Sequence, residues 1–300
     1  MSLRDRLQRT GAVVAPGVYD ALSASIAQAA GFEAIYLSGA GIAYTRLGRA
    51  DIGLVSMNEV AEVIGLVRDR VSIPMIVDGD TGYGNAMNVE RTVRLFERAG
   101  ATAIQLEDQT TPKRCGHLRD KSVTSAGEMI SKIKAAVDAR VSAETLIVAR
   151  TDARAVEGLP AAIERARLYA EAGADVLFVE APRSREELQT VVAELGAKAP
   201  LLANMVEGGQ TPISSAAELG EIGFSIAIFP GGVVRAVAKT MVDYYASLAA
   251  HGSNQPFAER MFDFDALNEV IGTPDMLGRG ETYEAMAAAA DAPRSKESDA

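Results

Sequence analysis

From Ala12 to Phe229, short apolar runs alternate with longer segments whose apolar positions recur at helical spacing. Parallel βα units produce that alternation. Eight runs read as strands, at residues 12–15, 34–38, 74–78, 102–107, 145–150, 175–180, 200–204 and 225–229. The core of the last, Ile226-Ala227-Ile228-Phe229, is apolar throughout, as a strand covered on both faces should be. Segments 19–30, 56–70, 89–99, 125–140, 160–172 and 184–194 read as amphipathic helices. Three helix-to-strand joins share one phrase, Ala30-Gly31-Phe32, Ala99-Gly100-Ala101 and Ala172-Gly173-Ala174, in which glycine takes a left-handed cap. Eight such units close into a (β/α)8 TIM barrel, which we assign to residues 1–250.

Beyond residue 251 the eightfold pattern ends. Segments 256–261, 264–271 and 274–290 keep helical spacing, with Pro or Gly between them, and predict a C-terminal helical extension over 251–290. Such an extension packs on the barrel or on a neighbouring subunit. Residues 291–300 are small, polar and charged, which predicts a disordered tail.

Composition narrows the partners. Lys and Arg number 30 against 40 Asp and Glu, a net charge of −10, so neither nucleic acid nor an anionic membrane finds a basic footprint. The single cysteine, Cys115, cannot form an internal disulfide and fits a reducing cytosol. The first residues lack the apolar core of a signal peptide, and no stretch is long and apolar enough to span a bilayer. The expectation is a cytoplasmic protein.

In such a barrel the C-terminal ends of the strands share one mouth. The residues there are Tyr36-Leu37-Ser38-Gly39, Asp78-Gly79-Asp80, Glu107-Asp108, Arg150-Thr151-Asp152, Glu180 and Asn204. Carboxylates gathered in this way repel one another unless a cation sits among them. The cluster contains no His or Cys, so its donors are hard oxygens suited to Mg²⁺ or Mn²⁺. Asp78, Asp80 and Glu107 are the candidate metal ligands; the blander alternative has Asp80 capping the next turn and Glu107 paired with Arg150. Gly82 and Gly84 lack the third glycine of a dinucleotide fingerprint and read as turn formers. Ser38-Gly39-Ala40-Gly41 reads as a small, flexible stretch able to offer backbone N–H groups to a carboxylate or phosphate.

Cys115 stands among Lys113, Arg114, Gly116 and His117 in a loop, where positive charge favours proton exchange near neutrality. His117 is placed equally well to support the loop or to take part in catalysis. A buried apolar cysteine is the competing reading.

Lys113-Arg114-Cys115-Gly116-His117, with Asp78-Gly79-Asp80-Thr81-Gly82-Tyr83-Gly84 before it and Ala149-Arg150-Thr151-Asp152-Ala153 after it, resembles the isocitrate lyase/phosphoenolpyruvate mutase superfamily. The likeness runs from about Pro16 to Arg235. It implies a barrel enzyme binding Mg²⁺ and a 2-hydroxy or 2-oxo acid, usually a homotetramer with exchanged C-terminal helices. It implies Asp78 and Asp80 at the metal, with Glu107 bonding metal water. Ser38, Gly39 and Ala40 would cradle the substrate carboxylate, Arg150 would hold the same fragment, and Tyr36 would lie beside the substrate hydroxyl. Glu180 and Asn204 would form a polar wall, and Cys115 and Gly116 would belong to a gating loop.

Cysteine in that loop resembles the lyases of the group, and also carboxyphosphonoenolpyruvate mutase. Asn204-Met205-Val206-Glu207-Gly208-Gly209 is similar to the dimethylmalate lyases and to that mutase, more than to the methylisocitrate lyases. Arg235 matches an arginine that methylisocitrate lyases use on a distal carboxylate, whereas Pro230-Gly231-Gly232 departs from the usual pattern. The resemblance therefore implies Mg²⁺-dependent retro-aldol cleavage of a 2-hydroxy dicarboxylate. The alternatives are oxaloacetate decarboxylation, phosphorus–carbon chemistry on the same core, or a non-catalytic dicarboxylate-binding barrel.

Overall fold

Alternate residues of each strand enter two different apolar layers, because successive side chains of a strand point to opposite faces. The strands are β1 (Val13–Val18), β2 (Ile35–Leu37), β3 (Met75–Asp78), β4 (Ala103–Glu107), β5 (Leu146–Thr151), β6 (Val176–Val179), β7 (Leu202–Asn204) and β8 (Ile226–Phe229). All eight lie where the apolar pattern predicts them, in a computed structural model that describes residues 2–116 and 120–291. Val13, Tyr36, Ile76, Ala103, Val148, Phe178, Leu202 and Ile226 fill an inner layer. Ile35, Val77, Ile104, Ile147 and Leu177 face outward against Val60, Ile64, Phe96, Ile133 and Leu188 of the surrounding helices.

The ladder is parallel throughout, in the order β6-β5-β4-β3-β2-β1-β8-β7. Its two edges meet at a bridge between Leu177 and Leu201, where the Leu177 N–H donates to the Pro200 carbonyl at 3.0 Å. The sheet is thereby a (β/α)8 TIM barrel. Helices Met57–Arg68, Ala126–Ala139 and Arg185–Leu195 each begin on a serine whose hydroxyl accepts an N–H of the first turn. Gly31, Gly100 and Gly173 have φ of 88°, 112° and 105°, the conformation the repeated helix-to-strand phrase requires.

The short helix Leu3–Leu7, which the apolar pattern does not predict, drops Leu3 and Leu7 into the inner layer beside Val13, Leu146 and Val176. It stoppers the end of the barrel opposite the mouth. Asp175 pins it there. Its carboxylate takes Arg4 at 2.9 Å, Arg140 at 2.6 Å and the Ile147 N–H at 2.9 Å.

Contacts divide the chain into residues 1–239 and 240–300. The helix Gly232–His251 runs across that boundary, and helices Phe264–Ile271 and Thr273–Asp291 belong to the second unit. Within that unit Phe257 is buried, edge-on to Tyr244 at 5.5 Å and under Arg260 at 4.3 Å. The tail expected to be disordered lies, from residue 292, outside the described residues. No helix among the described residues is long and apolar enough to cross a membrane.

Replacing Asp175 removes the carboxylate from two guanidinium groups, each left with one backbone carbonyl, and the acceptor of the Ile147 N–H. Asp175→Ala is expected to lower unfolding free energy by about 2–3 kcal/mol, read from the denaturant midpoint; a change below about 0.5 kcal/mol would show that Asp175 does not pin the helix.

Candidate active site

Counting by two along each strand leads from an inward apolar residue to a polar one at the mouth. Ile76 leads to Asp78, Ala103 to Gln105 and Glu107, Val148 to Arg150, Phe178 to Glu180 and Leu202 to Asn204. Parallel register then sets Asp78 beside Gln105 and Glu107 beside Arg150.

Arg150 is buried at the centre. Its guanidinium meets Glu107 Oε2 at 3.1 Å, both Asp152 oxygens at 3.0 and 3.1 Å, and Glu180 Oε2 at 3.7 Å, over the Phe178 ring at 5.3 Å. Burial alone would depress its pKa; Asp152, Glu107 and Glu180 reverse that and hold it above the ordinary value. The pairing of Glu107 with Arg150 is therefore present. Burial, only partly opposed by Arg150, still pushes the Glu107 pKa well up, and Glu107 Oε1 has no hydrogen-bond partner among the described residues.

The Tyr36 hydroxyl donates to Gln105 Oε1 at 3.0 Å, and Gln105 Nε2 donates to Asp78 Oδ1 at 3.2 Å. Burial, then Asp78, raises the phenol pKa well above 10, so Tyr36 stays a neutral donor. Asp80 sits in the left-handed region at φ 48°. Its carboxylate does not cap the next turn but pairs with Lys113 Nζ at 2.7 Å, an ionic contact without good hydrogen-bond alignment. Burial pushes the Asp80 pKa up to about 7, against the pull of Lys113. Lys113 also meets Asp51 Oδ1 at 2.5 Å.

Ser38 differs from expectation. Its hydroxyl accepts the Gly41 N–H at 3.1 Å, so residues 38–41 form the capped first turn of a helix, Gly39–Ile42, rather than a flexible stretch. Gly39 lies against the acids: a Cβ there would stand 3.2 Å from Asp78 Oδ2 and 3.5 Å from Asp80 Oδ1.

The loop after β4 lies down on this mouth. A Cβ on Gly116 would overlap the Arg150 guanidinium and come within 2.8 Å of the Glu180 carboxylate carbon. Four attachments hold the loop there. Lys113 bridges Asp51 and Asp80, the Cys115 N–H donates to the Asp51 carbonyl at 3.2 Å, and Gln109 clasps the Arg114 main chain at 2.8 and 2.9 Å. Lys121 joins the Gly116 carbonyl to Asp152 Oδ1, the latter at 2.6 Å. Cys115 is half-buried and close enough to Tyr44 to help raise its pKa, burial being the larger cause; Arg235 acts on Tyr44 in the opposite sense. Arg235 pairs with Glu207 at 2.9 Å, and a Cβ on Gly231 would overlap that guanidinium where it lies. Asn204 donates to Glu180 Oε2 at 3.1 Å. His117 lies outside the described residues.

Asp51, Gln105, Asp152 and Lys121 were assigned no role from sequence. Gln105 carries a signal, being a polar residue at inward parity in the middle of β4, two before Glu107. Asp51 and Lys121 sit in irregular loops, where no periodicity marks them. Among the described residues, the acidic groups Asp51, Asp78, Asp80, Glu107, Asp152 and Glu180 outnumber the basic groups Lys113, Lys121 and Arg150 by three. No three of the described acids, histidines or cysteines converge at metal-ligand spacing, since ammonium and guanidinium groups stand between them. A cavity of about 420 Å³ opens beside Asp80 and Lys113.

A model of the phosphoenolpyruvate phosphomutase family matches residues 3–249. The chain is 46% identical over 273 residues to a 2-methylisocitrate lyase of Aeropyrum pernix, spanning 91% of this chain and 87% of that one. It is 42% identical over 270 residues to a 2,3-dimethylmalate lyase of Eubacterium barkeri, spanning 90% and 93%. Among solved structures, an oxaloacetate acetylhydrolase in complex with 3,3-difluorooxalacetate aligns with a TM-score of 0.88 at 35% identity, covering 94% and 96% of the two chains. A phosphonopyruvate hydrolase in complex with oxalate and Mg²⁺ aligns with a TM-score of 0.83 at 28% identity, covering 92% and 95%.

The seat of Gly116 yields a prediction that needs no substrate. Gly116→Ala is expected to keep the melting temperature yet make residues 110–122 roughly tenfold more susceptible to protease, because the loop can no longer settle on Arg150. Unchanged cleavage would show that the loop does not depend on that contact.

Proposed function

The chain belongs to the phosphoenolpyruvate phosphomutase family, and we propose that it is a carbon–carbon lyase acting on a 2-hydroxy dicarboxylate of the 2,3-dimethylmalate or 2-methylisocitrate type. One observation carries this reading. The loop that bears Cys115 is fastened to the acidic mouth on both sides of the cysteine, by Lys113 on Asp51 and Asp80 and by Gly116 on Arg150 and Glu180.

The donors at the mouth suit a hard divalent cation: they are carboxylate oxygens with excess negative charge, and Glu107 Oε1 is buried without a hydrogen-bond partner among the described residues. Asp78 and Asp80 would hold Mg²⁺, or Mn²⁺, with Glu107 accepting from water of its shell. Bound there, the ion supplies Lewis-acid polarisation of an α-oxyacid and offsets its charge.

The remaining work falls to the chain. Arg150 and the backbone of Ser38, Gly39 and Ala40 hold the substrate's C1 carboxylate, and Gly116 closes over it. Tyr36, as a neutral phenol, orients the 2-oxygen, while Glu180 and Asn204 wall the site. The hydroxyl proton passes to a mouth carboxylate, the C2–C3 bond breaks, and C2 becomes the carbonyl of an α-keto acid. The bonding pair stays on C3, and the Cys115 thiol, with His117 supporting its loop, gives that carbon its proton. Arg235 and Lys113 offset the charge of the departing fragment. Family membership also leads us to propose a cytoplasmic homotetramer with exchanged C-terminal helices.

In the metal-free protein Asp80 titrates at about 7, so below that pH a cation must first displace a proton. Mg²⁺ affinity is expected to fall by about tenfold per pH unit below 7 and to level off above it; a flat titration from pH 5.5 to 8 would remove Asp80 from the metal site.

The activity test is a panel of malate and citrate derivatives plus oxaloacetate, each with Mg²⁺, scored for keto-acid release. Cleavage of a 2,3-dimethylmalate or 2-methylisocitrate type acid is expected, with Cys115→Ser lowering turnover by about 100-fold or more and leaving Mg²⁺ affinity intact. Turnover of oxaloacetate alone would overturn the lyase reading.

A further inference from the structure

Asp108 follows Glu107 directly, is buried, and takes no part in the chemistry above. Its Oδ2 accepts from the Thr151 hydroxyl at 2.7 Å and the Tyr169 hydroxyl at 2.8 Å, and its Oδ1 accepts the Asp152 N–H at 2.8 Å. Thr151 and Asp152 are the two residues after Arg150. Asp108 therefore grips the short turn from which both members of the Arg150–Asp152 pair project.

Its main chain reaches two further places. The Asp108 N–H donates to the Arg150 carbonyl at 3.3 Å, and the Asp108 carbonyl accepts the Thr124 N–H at 2.8 Å. Thr124 is where the loop bearing Cys115 returns to the barrel, just before helix Ala126–Ala139. Arg165 closes the group, with one nitrogen 2.8 Å from the Thr124 carbonyl and 3.4 Å from Asp108 Oδ2. One residue thus joins the frame of Arg150 to the foot of the loop.

We infer that Asp108 is a positioning residue for the α-oxyacid subsite, setting the orientation of Arg150 through Thr151 and Asp152 and tying it to the seating of the loop. The inference rests on the reading that Arg150 holds the substrate carboxylate. A buried carboxylate with three good donors would also stabilise any fold. The two roles separate by where the effect appears: stabilisation acts on unfolding, positioning acts on ligand affinity and only while Arg150 is present.

The test is calorimetric binding of oxalate with Mg²⁺ to the full chain. Asp108→Asn turns one acceptor into a donor facing donors, which releases the turn. It is expected to weaken oxalate roughly tenfold or more, as slight misplacement of a binding group does. Thr151→Val keeps the shape but removes one donor to Asp108 on the Arg150 side and the acceptor of the Ala153 N–H, so it is expected to lower the melting temperature about as Tyr169→Phe does yet to weaken oxalate at least about threefold, even if Asp108→Asn does not fold. Tyr169→Phe, on the helix side, should change oxalate affinity less than about twofold. In an Arg150→Lys background the Thr151→Val effect should vanish, the non-additivity expected of residues acting as one unit.

Unchanged oxalate affinity in Thr151→Val, or an equal loss with and without Arg150, overturns the inference. If the wild-type protein does not bind oxalate with Mg²⁺, the α-oxyacid reading itself falls. Normal wild-type binding with unaffected variants removes only the role given to Asp108.

Discussion

Arg150 is a guanidinium sealed inside a barrel with Glu107, Asp152 and Glu180 around it. Each of those charges would be costly to bury alone, and each is tolerated because the others are present. The balance is not complete, since Asp51, Asp78 and Asp80 add further negative charge. The cations that answer it, Lys113 and Lys121, come from the loop after β4. The seating of that loop is therefore an electrostatic event as much as a packing one, and the acids of the mouth draw Cys115 into place by attracting its neighbour two residues away.

Much of this was legible in the sequence because it follows from period. Strand ends at Asp78, Glu107, Arg150, Glu180 and Asn204 can be read from apolar runs, and a closed parallel barrel makes them converge. What resisted reading was set by loops. Nothing local marks Asp51 as the partner of Lys113 or Lys121 as the clasp on Gly116, since Asp51 lies 62 residues before Lys113 and Lys121 five residues after Gly116, each in an irregular stretch. Ser38 to Gly41 reads as flexible because all four of its residues are small, yet the serine caps a helical turn and Gly39 has Asp78 standing against it.

On the lyase reading, substrate choice falls to the region around Arg235. Arg235 is held by Glu207 at the surface, both side chains about half exposed, so the pair is weak and easily exchanged for a ligand carboxylate. Gly231 gives the guanidinium room for that partner. Relatives named as lyases of 2,3-dimethylmalate and 2-methylisocitrate, and a structural neighbour that acts on oxaloacetate, differ in what is attached beyond the common acid core. On the proposed reading such attachments would be told apart around Arg235, whereas Arg150 would serve the part they share.

Leu3 and Leu7 close the far end of the barrel. Among the described residues the site is therefore approached from the mouth, where the loop that carries Cys115 lies. On the lyase reading, one molecule goes in and two must come out by the same route, in sequence. On that reading the fragment held deepest, against Arg150, would leave last, and while it stays it would occupy the seat of the next substrate, so accumulating keto acid would act as a brake.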